Sequence, residues 1–193
     1  ITATPFRILD LSLTKAISIS GSLTPLSDGA SIHKVIVADS GSHVFLATSL
    51  GLKVVDVSNP ASPSVTLTVN TDGELIDAAL TASGELYAID DFAGLIRFDA
   101  TNVAAPAVDS EFDARPTNAQ RLQIHDDHLY LVSPVFPQLT AIDLTQTTVP
   151  TVGTLNYLLS DNQWERLYIY GNRAMVFEDG GNDIHTIALD DPT

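Results

Sequence analysis

Carboxylates and histidines are the only side chains grouped densely enough in these 193 residues to suggest chemistry. The tightest group is His125-Asp126-Asp127-His128. Two imidazoles and two carboxylates in a row have the composition of a divalent-metal site. Neighbouring side chains on a strand point to opposite faces, so adjacency alone does not make them converge. A polar turn accounts for the same four residues. His33, His43 and His185 are scattered, with no ligand spacing between them.

The second group is the loop Glu178-Asp179-Gly180-Gly181-Asn182-Asp183. Calcium takes about 6–8 oxygen ligands. Glu178, Asp179 and Asp183 are therefore candidate metal ligands, and Ca²⁺ is the one cofactor the sequence suggests. The spacing is not that of an EF-hand, and Gly/Asp turn chemistry explains the loop equally well. Further carboxylate pairs are Asp90/Asp91, Asp126/Asp127 and Asp190/Asp191. Glycoside hydrolysis needs two carboxyls about 5–10 Å apart across a cleft, and neighbours along a strand do not supply that. There is no Gly-x-Ser-x-Gly elbow, P-loop or Gly-x-Gly-x-x-Gly. No catalytic residue is assigned. The absence of cysteine excludes disulfides, thiolate catalysis and Cys-based zinc sites.

What positions these residues is a repeat. A strand ending in Asp-x-Ser/Thr occurs as Phe6–Ser12, Leu52–Ser58, Leu95–Thr101 and Leu139–Thr145, with a last degraded copy at Ile184–Asp190. The intervals are 46, 43, 44 and 45 residues, and four-stranded propeller blades run about 40–50 residues. A residue present in every unit points to architecture, because one active site needs no such multiplicity. Asp10, Asp56, Asp99 and Asp143 are therefore expected to accept hydrogen bonds from turn N–H groups.

A second register agrees. Short apolar runs flank polar turns at Asp39–Ser42, Ala82–Gly84, His125–Asp127 and Gly171–Asn172, which reads as hairpins. The His-Asp-Asp-His group thus falls in a hairpin. Each unit holds four strands, a to d, with d strands expected at residues 16–20, 64–69, 107–112 and 151–155. The chain reads as one repeat domain over 1–193. A partial unit (6–20) is followed by full units at about 32–69, 75–112 and 119–155, then a partial unit at 165–190. Val54, Val55, Leu46, Tyr87, Ile89, Leu131, Ile142 and Val176 are expected in the core.

Gly-Leu-Lys-Val-Val-Asp-Val-Ser-Asn-Pro-Ala-Ser-Pro at 51–63 resembles the LVIVD repeat, found in bacterial and archaeal cell-surface β-propellers. Leu86–Asp90 is similar to the strand that follows in that repeat. The resemblance covers nearly the whole chain, is best over 43–63 and weakest after 183. It implies an all-β propeller or propeller arc of four to five antiparallel blades, secreted or at the cell surface. It says almost nothing about activity. Two strands precede the three full units and three follow them. The N-terminal c and d strands could complete the last blade only if its own c strand were displaced. An incomplete ring, with the rest removed or held on another chain, is the expected architecture. The chain reads as a mature or excised piece of something longer, and open strand edges would invite pairing between chains.

Net charge is −15, from 9 Lys+Arg against 24 Asp+Glu. That balance disfavours nucleic acid and anionic membranes as partners. No apolar run reaches the roughly 18 residues of a membrane-spanning helix. In a blade, the b–c loops and the connectors between blades emerge on one face. There the candidates for ligand contact are Asp72, Asp90, Asp91, Phe92, Arg115, Asp161 and Trp164, with Phe136 nearby. The leading expectation is a non-enzymatic scaffold that binds a protein or glycan through this face. The alternatives are a calcium-dependent binder or hydrolase using the acidic loops, and a subunit that assembles through strand edges.

Overall fold

The computed structural model describes residues 6–10, 18–23, 26, 28–111, 119–133, 138–145, 151–156, 164–178 and 183–189. All regular structure there is β-strand, in five antiparallel sheets. The first sheet pairs β1 (Phe6–Asp10) with β2 (Ser18–Leu23). The second runs β3 (Ile32–Val37), β4 (His43–Thr48), β5 (Gly51–Asp56) and β6 (Ser64–Val69). The third is β7 (Leu75–Leu80), β8 (Glu85–Asp90), β9 (Gly94–Asp99) and β10 (Ala107–Glu111). The fourth is β11 (Arg121–His125), β12 (His128–Ser133), β13 (Gln138–Asp143) and β14 (Thr151–Asn156). The last is β15 (Trp164–Tyr170), β16 (Arg173–Glu178) and β17 (Ile184–Ala188). The first d strand is Ser18–Leu23, later than the hydrophobic pattern around residue 16 indicates.

Each sheet is a meander of sequence neighbours, the topology of a propeller blade. Every described pairing of third with fourth strand carries a register shift, at Ile8/Leu9, Val54/Val55, Val108/Ser110 and Ala141/Ile142. Such bulges increase local twist. Among the described residues no ladder joins β1 or β2 to the β15–β17 sheet.

The strands at blade centres are apolar on both faces because both faces are covered. Along β4 and β5, Val44, Leu46 and Val55 pack towards Leu23 and Leu26, whereas Phe45, Ala47 and Val54 pack towards the next sheet's Leu86, Ala88 and Phe98. The alternation repeats one blade on. Tyr87 and Ile89 face Leu129 and Leu131, and Tyr130 and Val132 face Ala174 and Val176. All eight core residues named from the sequence are buried.

Polar ties reinforce the stack at its inner edge. The His33 imidazole Nδ1 meets the Leu75 carbonyl at 3.0 Å, and the Ile169 N–H donates to Gln123 Oε1 at 3.0 Å. Asp77 is buried, accepts from the Leu122 N–H at 3.0 Å and from the Ala78 N–H at 3.0 Å, and pairs with Lys34 at 2.9 Å.

The hairpins show why His125–His128 is a turn. His125 and His128 are directly paired, leaving Asp126 and Asp127 as a two-residue loop with φ of 45° and 59°. Both lie in the left-handed region that a type I′ turn requires and that side chains with a Cβ resist. The corresponding turns have Gly41, Gly84 and Gly171 in that region. Asp127→Gly is expected to stabilise the protein by about 0.5–1 kcal/mol, seen as a rise of about 1–4 °C in thermal midpoint. An unchanged or lower midpoint would contradict the strain.

Asp56, Asp99 and Asp143 close the next turn. Their carboxylates accept from the N–H of Ser58 (2.8 Å), Thr101 (3.0 Å) and Thr145 (2.8 Å), and the Thr101 and Thr145 hydroxyls donate to the same oxygens at 2.6 Å. Asp10 ends β1 at the equivalent place. The hydroxyl and then the N–H of Ser58 hold the Asp56 carboxyl below its ordinary pKa, and those of Thr101 do the same for Asp99. A lowered folded-state pKa contributes stability above the unfolded value, and that contribution is lost as pH falls through the folded one. The thermal midpoint should therefore fall below about pH 4, and less steeply in an Asp56→Asn, Asp99→Asn double variant. Parallel acid profiles would exclude these two groups.

Candidate functional site

The connector between the second and third sheets and the β8–β9 turn meet on one face. Asp90 ends β8 with only 1% of its surface exposed. Its carboxylate accepts from the N–H groups of Gly73 (3.0 Å), Phe92 (2.9 Å) and Ala93 (2.7 Å). A carboxylate satisfied by three backbone donors is a clamp, so Asp90 organises the loops from beneath rather than facing a ligand. Asp91 adds a second link. Its carboxylate accepts from the Glu74 N–H at 2.7 Å, and its own N–H donates to the Glu74 carbonyl at 3.0 Å. The Thr71 hydroxyl bonds the Gly73 carbonyl at 2.9 Å.

This bracing raises Phe92, 77% exposed, over a cleft of about 550 Å³. The cleft carries the carboxylates of Asp28, Asp72, Glu74 and Asp91, with Leu50 as a second apolar contact. Among the described residues that line it none is basic. Lys53 lies beneath, almost wholly buried, and its ammonium reaches up to Asp28 and to the Thr68 hydroxyl. The hydrogen bond from Lys53 is the main cause that holds the Asp28 carboxyl below its usual range. The Lys53 ammonium balances that carboxylate, so Asp72, Glu74 and Asp91 give the cleft its net negative charge.

The structure thus brings together Asp72, Asp91 and Phe92, and adds Asp28 and Glu74. Arg115, Asp161, Phe136 and Asp179 lie outside the described residues. Trp164 opens β15 and Glu178 ends β16, while Asp183 is exposed just before β17. Among the described residues no three His, Asp or Glu side chains are placed to hold a metal ion.

A second cavity, of about 680 Å³, lies between the first strands of four sheets and is lined by Lys34, Asp77, Arg121, Gln123, Arg166 and Tyr168 among others. Reading the loops alone passes over these residues. The usable signal was their constant place, three residues before Val37, Leu80, Ile124 and Ile169, which pair across each hairpin.

The meander sheets, the twofold-buried central strands and the closing aspartates match a known repeat. Residues 35–71 match the LVIVD repeat. The LVIVD match spans the second half of β3, all of β4–β6 and the start of the cleft's connector. No curated protein matches the chain. Among solved structures it is similar to a protein assigned as a 6-phosphogluconolactonase from Bacteroides fragilis, with a TM-score of 0.73 at 13% identity over 95% of this chain and 60% of that one. It is similar to the extracellular domain of a hybrid two-component system from B. thetaiotaomicron, with a TM-score of 0.65 at 12% identity over 83% and 22% of the two chains. It also resembles PorZ, a surface component of the type-IX secretion system of Porphyromonas gingivalis, with a TM-score of 0.51 at 16% identity over 81% and 21%. The chain spans between about a fifth and three fifths of these structures. At such identities the likeness establishes the propeller-type fold.

Proposed function

We propose that this LVIVD-repeat protein is a non-enzymatic interaction scaffold, secreted or displayed at the cell surface, that holds a protein partner through the acidic cleft around Phe92. The observation that carries the reading is Phe92 itself, 77% exposed on a turn braced by Asp90 and Asp91. An exposed aromatic side chain on a braced backbone spares the cost of ordering the loop on binding and is a typical interface anchor. The ring of Asp28, Asp72, Glu74 and Asp91 fits a partner whose apolar pocket is rimmed by lysine and arginine. That charge favours a basic protein over a glycan. The outward location is supported by the LVIVD resemblance and by the fold shared with a bacterial surface component and the extracellular domain of a hybrid two-component system.

The test is proximity labelling on cells that display the protein, comparing the wild type with an Asp72→Asn, Phe92→Ala double variant. Neither side chain holds the loop, so the thermal midpoint should stay within about 1 °C, as surface changes normally do. Loss of one labelled protein in the variant, together with weaker capture at high salt, is the expected result. Identical labelling by both would exclude the cleft as the docking site. Turnover on a panel of hydrolase substrates would overturn the scaffold reading.

A further inference from the structure

The inner cavity has the opposite electrostatic character to the rest of the molecule. Lys34, Asp77, Arg121 and Arg166 stand at the same level on β3, β7, β11 and β15, and all four line it. The chain has only 9 basic residues against 24 acidic ones. Three of those nine occupy one level of one cavity. The single anion among them is already engaged, since Asp77 takes the Lys34 ammonium and two backbone N–H groups.

The two guanidiniums are differently placed. Arg121 uses one N–H on the Gln120 carbonyl at 2.7 Å. Arg166 is exposed and makes no ion pair among the described residues. Two planar forks of donors, from neighbouring blades, therefore remain available in one concave site. Tyr168 and Gln123 also line it, the Gln123 Oε1 being taken by the Ile169 N–H, and Val35 and Ala79 give it apolar sides. Guanidinium forks match the paired oxygens of carboxylate and phosphate. A concave site with low-dielectric walls concentrates its field, even on a protein of opposite net charge.

We propose that this cavity binds a small polyvalent oxyanion, a di- or tricarboxylate or a phosphorylated small molecule, with Arg121 and Arg166 as its principal ligands. The site is separate from the Phe92 cleft and does not depend on the function assigned to that cleft.

Calorimetric titration of the whole chain with citrate and with pyrophosphate, at low and moderate salt, tests it. Arg121→Gln and Arg166→Gln are compared with Arg173→Gln, an exposed arginine at the β15–β16 turn that does not line the cavity. The expected result is saturable binding of one anion per chain, weakened at least about tenfold by either cavity variant and unchanged in Arg173→Gln. Citrate binding alone identifies a carboxylate ligand, and pyrophosphate binding alone a phosphate. No saturable binding of either anion overturns the proposal. So does an equal loss in Arg173→Gln, which would mean general charge attraction. Retained binding in Phe92→Ala keeps this result distinct from that of the cleft.

Discussion

Phe45→Ala should destabilise the protein by about 3–5 kcal/mol, the usual cost of removing a buried phenylalanine, and lower the thermal midpoint by about 10 °C. Phe45 is wholly buried and sits at the interface of the second and third sheets, among Val54, Ala78, Leu86 and Phe98. Truncation removes both the transfer energy of the ring and the contacts of its neighbours. Those neighbours belong to two different hydrogen-bonded ladders and cannot close in without disturbing register. Tyr87 and Tyr130 hold the same place one and two blades on, and their burial raises the pKa of each phenol. Phe45→Leu should recover more than half of the loss, because it keeps most of the volume. Urea unfolding of both variants measures it. A loss below about 1 kcal/mol for Phe45→Ala would mean that the inter-sheet contact is looser than described.

Asp77→Ala should cost about 2–4 kcal/mol, because it leaves buried backbone N–H groups without their acceptor. The carboxylate is one of few buried charges and ties two blades through the Leu122 N–H. Its loss strands that N–H, the Ala78 N–H and the Lys34 ammonium together. Asp77→Asn keeps an acceptor of the same shape and should cost less. Lys34→Met should cost least, since the lysine side chain is 43% exposed against 4% for the aspartate and its hydrophobic stem is retained. The order Asp77→Ala, Asp77→Asn, Lys34→Met is the informative result. If Lys34→Met proved as damaging as Asp77→Ala, the ion pair rather than the inter-blade hydrogen bond would be the dominant tie.

Much of the fold was legible because it depends on short-range pattern. Val54, Val55, Tyr87 and Ile89 read as core, and Asp-x-Ser/Thr read as a turn, from a handful of adjacent residues. The period then placed the sheets. Less of the site was legible. Asp90 and Asp91 look alike in sequence, yet Asp90 turns under the loop and Asp91 pairs across to Glu74, a difference set by a connector 17 residues away. Lys34, Asp77, Arg121 and Arg166 come from four strands about 43–45 residues apart, and no local window contains two of them. A polar residue in a strand reads as surface unless the neighbouring blade is known, and for that reason Asp77 was not singled out.

The alternation of sheet faces has a consequence for how the molecule comes apart. Among the described residues each apolar cluster involves two successive sheets and none reaches a third. The free energy is then close to a sum of single-sheet terms and nearest-neighbour couplings, as in a one-dimensional stack. A sheet in the middle is held by two couplings and one at an end by fewer. Opening should therefore begin at the ends and move inward as a boundary. Amide exchange should be slowest in β8 and β12, and a pulling force on the termini should release the sheets one at a time in a sawtooth rather than in a single rupture.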